Sequence, residues 1–352
     1  MNDKEYNTRL SEAITWLRFP LIFLIIMLHC YSVQRLEGSH DVYFKVLYPF
    51  SLWLGETGVP GFFFISGYLF FRSQKSYTKK IKTRIHTLVI PYFLWNLLLL
   101  ILYIIAYHIG FPQDINGKSL GDYQVVDYLR LFWDKGSYDN GNFVPLLCPL
   151  WYIRNLFIIC VLSPLLYYII RYTREAFLVV VAVWWIMTHH NAFILQTVLF
   201  YSLGAYFSIF DFNPMKIVHN HRGLFCFFFF LLAIGDIAIH SGGFWTPVNL
   251  QTHRLSLIFN IPILLIIADS CHQKGWKNKT LPNAAFIVFC AHYPIVVLLR
   301  KYCISRFTDA SDITHIFLYF ACVIIATLLS ITLYFLLDRF FPKTKKILSG
   351  NR

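Results

Sequence analysis

The stretch WLRFPLIFLIIMLHCYS, from Trp16 to Ser32, decides the fold class. Its apolar run is long enough to enter a lipid bilayer, where a spanning helix needs about 20 mainly apolar residues. The same run carries Arg18 near one end and His29 near the other. Ionisable side chains inside a span are costly and usually face a bundle interior or a watery cavity. The stretch therefore predicts a membrane helix with two candidate functional residues.

The whole chain has the composition of a multi-pass, all-α integral membrane protein. Of its 352 residues, 57% are hydrophobic and only 14% are charged, and the mean hydropathy is +0.55. An ordinary soluble domain has about 25% charged residues. Apolar runs predict a bundle of about ten transmembrane helices in a single membrane-embedded domain, residues 1–352; two runs are short, so nine or eleven spans are alternatives. The predicted spans are roughly 14–33, 50–71, 86–108, 149–170, 176–190, 192–210, 223–240, 255–270, 283–300 and 314–337.

Lysine and arginine residues indicate the orientation of these spans. With the N-terminus inside, the segments assigned to the cytoplasm hold 21 of the 31 basic residues, as the positive-inside rule expects. Both termini are therefore predicted to be cytoplasmic. The asymmetry explains the net charge of +13 as a topology signal, so no nucleic-acid partner is predicted. The expected location is the inner (cytoplasmic) membrane of the cell, among its lipids.

The spacing of Arg18 and His29 matters for their chemistry. Eleven helical steps turn through about 1100°, which is three turns plus about 20°, and rise about 16 Å. One shared face at two depths is predicted, on the condition that Pro20 does not begin the helix and leave Arg18 just before it. An interfacial anchor is the structural alternative for Arg18, and a hydrogen bond to a neighbouring helix is the alternative for His29. Burial favours a neutral imidazole, which is competent as a general base.

Two segments around the second span add candidates. GETGVPGFFFISGYLFFRS, from Gly55 to Ser73, carries Ser66 in its middle, where small residues allow close helix packing or lie beside a substrate tunnel. The basic run RSQKSYTKKIKTR follows at the predicted cytoplasmic surface. A topology signal is sufficient to explain it, and the alternative is that it holds the phosphates of a nucleotide-like donor or anionic lipid heads. The candidates for phosphate contacts are Lys79, Lys80, Lys82 and Arg84.

Two later spans contain further ionisable or aromatic candidates. PLWYIRNLFI, residues 149–158, places Trp151 and Arg154 near the predicted outer interface. Trp151 suits an interfacial belt, whereas Arg154, about one turn further in, is harder to explain as an anchor. FIVFCAHYPIVV, residues 286–297, places His292 inside a span, where packing or a hinge beside Pro294 is the structural alternative.

Several familiar chemistries are absent from the sequence. The eight cysteines stand singly, without metal-ligand spacing, so no metal site is predicted. The phosphate-binding P-loop, the serine nucleophile elbow and the H-E-x-x-H zinc motif do not occur. Carboxylates inside the spans are sparse, which argues against a proton-coupled transporter without excluding transport.

The motifs together resemble membrane acyltransferase family 3, which includes bacterial O-acetyltransferases of surface glycans. The resemblance rests on Arg18-x10-His29, GFFFISGYLF, the basic run into TLVIPYFLWN, PLWYIRNLF and FIVFCAHYPI, in the family's order. It implies a bundle of ten or eleven helices that transfers an acyl group from cytoplasmic acyl-CoA to an acceptor at the outer face. His29 matches the family's essential histidine and Arg18 its partner arginine. The family's R-x-x-R pair has no clean counterpart in the cluster from Lys79 to Arg84.

The leading hypothesis is therefore an acyltransferase with acyl-CoA as donor substrate, acetyl-CoA by the family resemblance, and with no permanently bound cofactor. Neutral His29 would take the proton of a glycan or lipid-linked sugar hydroxyl, directly or through an acyl-enzyme, while Arg18 and the basic cluster hold the CoA phosphates. Acetyl is the first expectation and succinyl the alternative. A transporter or flippase for an anionic or sugar-lipid substrate is the second hypothesis, with Arg18, Arg154 and His292 along its path.

Overall fold

Apolar helices make up most of the chain in the computed structural model. It describes residues 2–31, 41–111, 114–136, 142–188, 190, 192–241, 247–276 and 280–351. The first helices are α1 (Asp3–Cys30), α2 (Asp41–Tyr48), α3 (Gly58–Arg72), α4 (Tyr77–Arg84), α5 (Ile90–His108), α6 (Val125–Arg130), α7 (Trp151–Val161) and α8 (Ser163–Thr173). The later ones are α9 (Glu175–Met187), α10 (Ala192–Ile209), α11 (Pro214–Asn220), α12 (Arg222–Ser241), α13 (Pro247–Gln273), α14 (Thr280–Arg306), α15 (Asp312–Phe340) and α16 (Pro342–Leu348). Strands β1 (Asp114–Ile115) and β2 (Lys118–Ser119) form a small antiparallel hairpin between α5 and α6.

Seven helices in the described ranges are long and apolar enough to cross a membrane, or eight if the bent pair α7–α8 is one span. Each predicted span coincides with a helix or a helical run, but α9 has only 13 residues. The run over 50–71 is divided by irregular turns. The all-α, multi-pass class is therefore confirmed, whereas the number ten and the orientation of the termini stay predictions.

Helix α1 begins far earlier than a helix start at Pro20 would place it. The Asn2 side chain caps it by accepting a hydrogen bond from the Glu5 amide at 2.9 Å, and the helix then continues through Pro20. An ion pair of 2.6 Å between Arg9 and Asp269 ties its first turns to α13. The prediction that Arg18 could precede the helix is therefore wrong, because tertiary contacts hold the turns before the proline. The predicted shared face of Arg18 and His29 is confirmed.

Small residues bring α1, α3 and α10 into close contact. A Cβ atom added to Gly58 would lie 2.8 Å from the carbonyl oxygen of Leu21, so α3 approaches the backbone of α1. A Cβ atom on Gly67 would lie 2.0 Å from the carbonyl oxygen of Tyr201 in α10, and one on Gly204 would lie equally close to α3. Only glycine permits such approach. The packing role predicted for the small residues of this segment is confirmed.

The segment between α2 and α3 is not a regular helix. Residues Pro49–Leu54 form a π-helix and Gly55–Thr57 a 3₁₀ turn. Polar side chains hold it from two sides: the Ser51 hydroxyl donates to the Met27 carbonyl at 2.9 Å, and the Trp53 indole donates to the Ser256 hydroxyl at 3.1 Å. Such π insertions frequently occur at functional sites. This one determines where the side chain of Glu56 lies.

The predicted span 149–170 is also interrupted. Helices α7 and α8 meet at an angle of 68°. Proline at the start of α8 lacks an amide donor and disfavours helical geometry in the residue before it, so the chain bends there. The predicted span over 149–170 is therefore a bent pair of helices, and whether the pair makes one crossing stays a prediction.

Candidate active site

Two cavities lie along the shared face of α1. The first, of about 330 Å³, is lined by Arg18 and Ile22 of α1 and by Arg84, and we call it the arginine cavity. The second, of about 370 Å³, is lined by Ile25 and His29 of α1, and we call it the histidine cavity. The helix therefore contributes one ionisable residue to each cavity.

Phe289 of α14 lies between the two cavities, because among the described residues it is the one common to both walls. It is 2% exposed, and its ring meets that of Tyr152 edge-on with 5.9 Å between centroids. One turn before it, Phe286 lines the arginine cavity, and one turn after it, Tyr293 lines the histidine cavity. The partition between the cavities is thus a buried aromatic ring.

His29 lies among aromatic side chains of α14. Its ring centroid is 5.0 Å from that of Tyr293 and 5.4 Å from that of His292. His292 is fully buried, and its Nδ1 lies 3.2 Å from the Val288 carbonyl oxygen. Its Nε2 has no hydrogen-bond partner among the described residues. Because His29 is only half-buried and lines a cavity, it is the histidine of this pair that is open to a cavity.

The basic cluster after the second span is divided by the structure. Arg84 lines the arginine cavity together with Arg18 and Ser66, whose hydroxyl lies 3.5 Å from that of Tyr152. The lysines of α4 lie outside the cavity wall. Lys79 and Lys82 are exposed to solvent, and Lys80 has its Nζ 5.0 Å from the Phe70 ring centroid.

The charged side chains that line the arginine cavity are all positive. Both of its charged side chains are guanidinium groups, and over the described ranges no acidic residue lines it. Most of the remaining wall is apolar, which strengthens electrostatic attraction by excluding water. A cavity of this kind suits an anionic group such as a phosphate.

Trp151 faces the histidine cavity rather than the surface. Its ring is stacked on that of Phe193, with 4.0 Å between centroids and 10° between planes. The two side chains thus form a stacked aromatic pair in the wall of this cavity. The interfacial belt expected for Trp151 therefore does not describe its position, because the side chain is 8% exposed.

Arg154 lies outside both cavity walls and holds a loop instead. Its guanidinium donates to the carbonyl oxygens of Trp133 at 2.5 Å and Phe143 at 2.8 Å, and its Cζ lies 4.7 Å from the Trp133 ring centroid. The described contacts of Arg154 are those of a structural anchor between α7 and the preceding loop.

A buried polar network beside the histidine cavity was missed from the sequence. His253 of α13 places Nδ1 2.8 Å from Asp236 and Nε2 3.0 Å from Glu56, and the Tyr48 hydroxyl donates to Asp236 at 3.1 Å. Glu56 lines the cavity that contains His29. The sequence shows three ionisable residues within or beside apolar runs. It does not show that they meet, because His253 is 17 residues from Asp236 and 197 residues from Glu56.

The membrane helices thus enclose two neighbouring cavities, one basic and one containing a histidine. Residues 11–335 match the family model Acyl_transf_3, described as an acyltransferase domain. The chain therefore belongs to this acyltransferase family, and the resemblance inferred from its motifs is confirmed. It is an acyltransferase held in the membrane by apolar helices.

One curated relative covers almost the whole chain. The protein is 25% identical over 362 residues to the succinoglycan biosynthesis protein ExoH of Rhizobium meliloti, and the match covers 98% of this chain and 94% of that protein. No solved structure matches it significantly. These similarities give no support to the alternative of a transporter or flippase.

Proposed function

We propose that this enzyme transfers an acyl group, first of all acetyl, from cytoplasmic acyl-CoA to a hydroxyl of a surface glycan or lipid-linked sugar at the inner membrane. The observation that carries the proposal is that Arg18 and His29 lie on one face of a continuous helix and line two cavities separated by Phe289. The similarity to a succinoglycan biosynthesis protein supports a polysaccharide, or its membrane-bound precursor, as acceptor.

The donor would bind through the arginine cavity. CoA carries phosphates at one end and the thioester at the end of a long flexible arm, so the guanidinium groups of Arg18 and Arg84 suit the phosphates. The arm then extends along the apolar wall towards Phe289. Both arginines belong to segments that the distribution of basic residues predicts to be cytoplasmic, which supports entry of the donor from that side.

The acceptor would bind in the histidine cavity, where His29 acts as general base. The hydroxyl oxygen attacks the thioester carbonyl carbon while His29 accepts the hydroxyl proton, and a C–O bond forms. The C–S bond then breaks, and the CoA thiolate leaves and takes up the proton that His29 accepted, which returns His29 to its neutral form. The products are an ester on the sugar and free CoA. An acyl group carried first by the enzyme gives the same products in two steps.

The experiment is acetyl transfer in membrane vesicles. Vesicles that contain wild-type protein receive labelled acetyl-CoA and a polysaccharide and lipid-linked sugar extract from producing cells that lack the protein. Label is expected in the glycan fraction, and His29→Ala is expected to lower the rate at least about 100-fold, the usual contribution of a general base. His219→Ala removes an exposed histidine of α11 and is the control. Equal rates in His29→Ala and wild type would overturn the mechanism.

A further inference from the structure

We propose that Glu56, held by the His253–Asp236 pair, positions the acceptor sugar in the histidine cavity by accepting a hydrogen bond from one of its hydroxyls. The inference rests on the proposed function and adds to it a residue that binds the acceptor. Glu56 is an acceptor-positioning residue here, and proton transfer remains with His29.

The contacts of Glu56 leave part of its carboxylate available. Its Oε2 lies 3.0 Å from His253 Nε2, and the side chain is 40% exposed although the segment that carries it packs inside the bundle. Among the described residues, no hydrogen bond reaches its second oxygen, Oε1. A carboxylate accepts several hydrogen bonds, so one oxygen can be held by the protein while the other binds a ligand.

The partner of Glu56 is itself firmly held. His253 is 7% exposed and Asp236 is fully buried, and their Nδ1 and Oδ2 atoms lie 2.8 Å apart. Ionised carboxylates only accept hydrogen bonds. The contacts of His253 with Asp236 and Glu56 therefore require either that both ring nitrogens of His253 carry a proton, or that one of the two carboxyl groups is protonated. In both cases the three groups together carry a net charge of −1. A buried pair of this kind fixes the side chain it contacts, as supporting hydrogen bonds do in functional sites.

The backbone that carries Glu56 is also fixed. Glu56 lies in the 3₁₀ turn that follows the π-helix. Immediately after it, Asn260 of α13 donates to the hydroxyl of Thr57 at 2.8 Å. The irregular turn therefore holds Glu56 at the cavity wall from its own chain, while His253 holds it from α13.

The rest of the wall fits a neutral sugar better than a second phosphate. The stacked pair of Trp151 and Phe193 gives this wall an apolar, aromatic part that can contact the C–H groups of a sugar, and the Gln196 amide adds a donor and an acceptor. The cavity contains both Glu56 and Arg300, so its charges are mixed, whereas the arginine cavity is purely basic. Charge complementarity therefore assigns the donor phosphates to one cavity and the acceptor hydroxyls to the other.

The test compares two carboxylates of similar surroundings. Glu12 also contacts a histidine, with its Oε2 3.1 Å from His272 Nδ1 and 41% of its side chain exposed, but it lies outside both cavities. Rates in membrane vesicles are measured against the glycan extract and against acetyl-CoA for wild type, Glu56→Gln and Glu12→Gln. Glu56→Gln is expected to raise the KM for the extract about 10-fold or more, because a hydrogen bond to a charged group is lost. The kcat and the KM for acetyl-CoA should stay within about 2-fold, and Glu12→Gln should change neither KM by more than that.

The outcomes separate this inference from the proposed function. If wild type transfers no acetyl to the extract, the proposed function is overturned and this inference with it. If wild type transfers acetyl but Glu56→Gln leaves the KM for the extract unchanged, or lowers kcat alone, only the inference is overturned. Glu56→Asp keeps the charge beside His253 and withdraws the carboxylate by one methylene, so it serves if Glu56→Gln does not reach the membrane. A normal KM for the extract in Glu56→Asp would then overturn the inference.

Discussion

The rings of His29 and His292 lie with their centroids 5.4 Å apart and their planes inclined by 34°, on facing helices of the bundle. His29 lines a cavity, whereas His292 is fully buried and lines neither cavity. The two residues thus differ in access although both are histidines within predicted spans. In the proposed mechanism His29 takes the proton, and from this ring contact we expect His292 to help hold the ring of His29 in place.

His292→Leu tests this division of roles. We expect kcat to fall about 10-fold with both KM values within about 2-fold, because a positioning contact is lost while the base remains. His315→Leu removes an equally buried imidazole away from both cavities and is the control, with the melting temperature in detergent measured for each variant. A loss in His292→Leu as large as that in His29→Ala would contradict the assignment, and so would no loss.

Arg18 gives a prediction about the donor alone. Arg18→Ala is expected to raise the KM for acetyl-CoA about 10-fold to 100-fold, because a charge-assisted contact to phosphate is lost, and to leave the KM for the glycan extract unchanged. Lys79→Ala removes an exposed charge of α4 and should change the KM for acetyl-CoA less than about 2-fold. An equal effect of the two substitutions would show that overall surface charge, and not the arginine cavity, attracts the donor.

The face shared by Arg18 and His29 was predictable because helical periodicity depends only on the spacing of two residues. The location of the helix start was not, because Pro20 is a local signal and the turns before it are held by Arg9 and its long-range partner in α13. Hydropathy likewise found an apolar run at 50–71 but could not show the irregular turn that directs Glu56.

The polar network was missed for a related reason. Glu56 and His253 each have an ordinary local explanation as residues at the end of a span, and their pairing depends on helices far apart in sequence.

Arg154 shows the opposite case. An arginine within a span is a functional candidate by default, but two loop carbonyls account for its buried charge.

Gly67 gives a prediction about stability. In Gly67→Ala the new Cβ would lie 2.0 Å from the Tyr201 carbonyl oxygen, so α3 and α10 must separate. Overpacking of this kind typically costs about 1–3 kcal/mol, and we expect a lower melting temperature in detergent. Gly223→Ala, at a helix position with no atom within 4 Å of the new Cβ, should not lower it. Equal melting temperatures would contradict the close approach of the two helices.

If the thioester reaches His29 by passing Phe289, we expect Phe289 to limit the length of the acyl group that can be transferred. Phe289→Leu keeps an apolar side chain but opens the wall between the cavities, so a longer acyl chain gains space. We expect the kcat/KM ratio of butyryl-CoA to acetyl-CoA to rise about 5-fold to 10-fold, because added methylene groups in an apolar pocket change specificity by roughly 1–3 kcal/mol. The measurement is the initial rate with each donor in membrane vesicles.

Phe286→Leu is the matched control for that experiment. Phe286 lies one turn earlier on α14, is similarly buried, and lines only the arginine cavity. Its substitution enlarges the donor side without opening the partition, so the ratio of the two donors should stay within about 2-fold. If Phe286→Leu shifts the ratio as far as Phe289→Leu does, acyl length is selected by the volume of the arginine cavity, and the aromatic partition is not the point that the acyl group must cross.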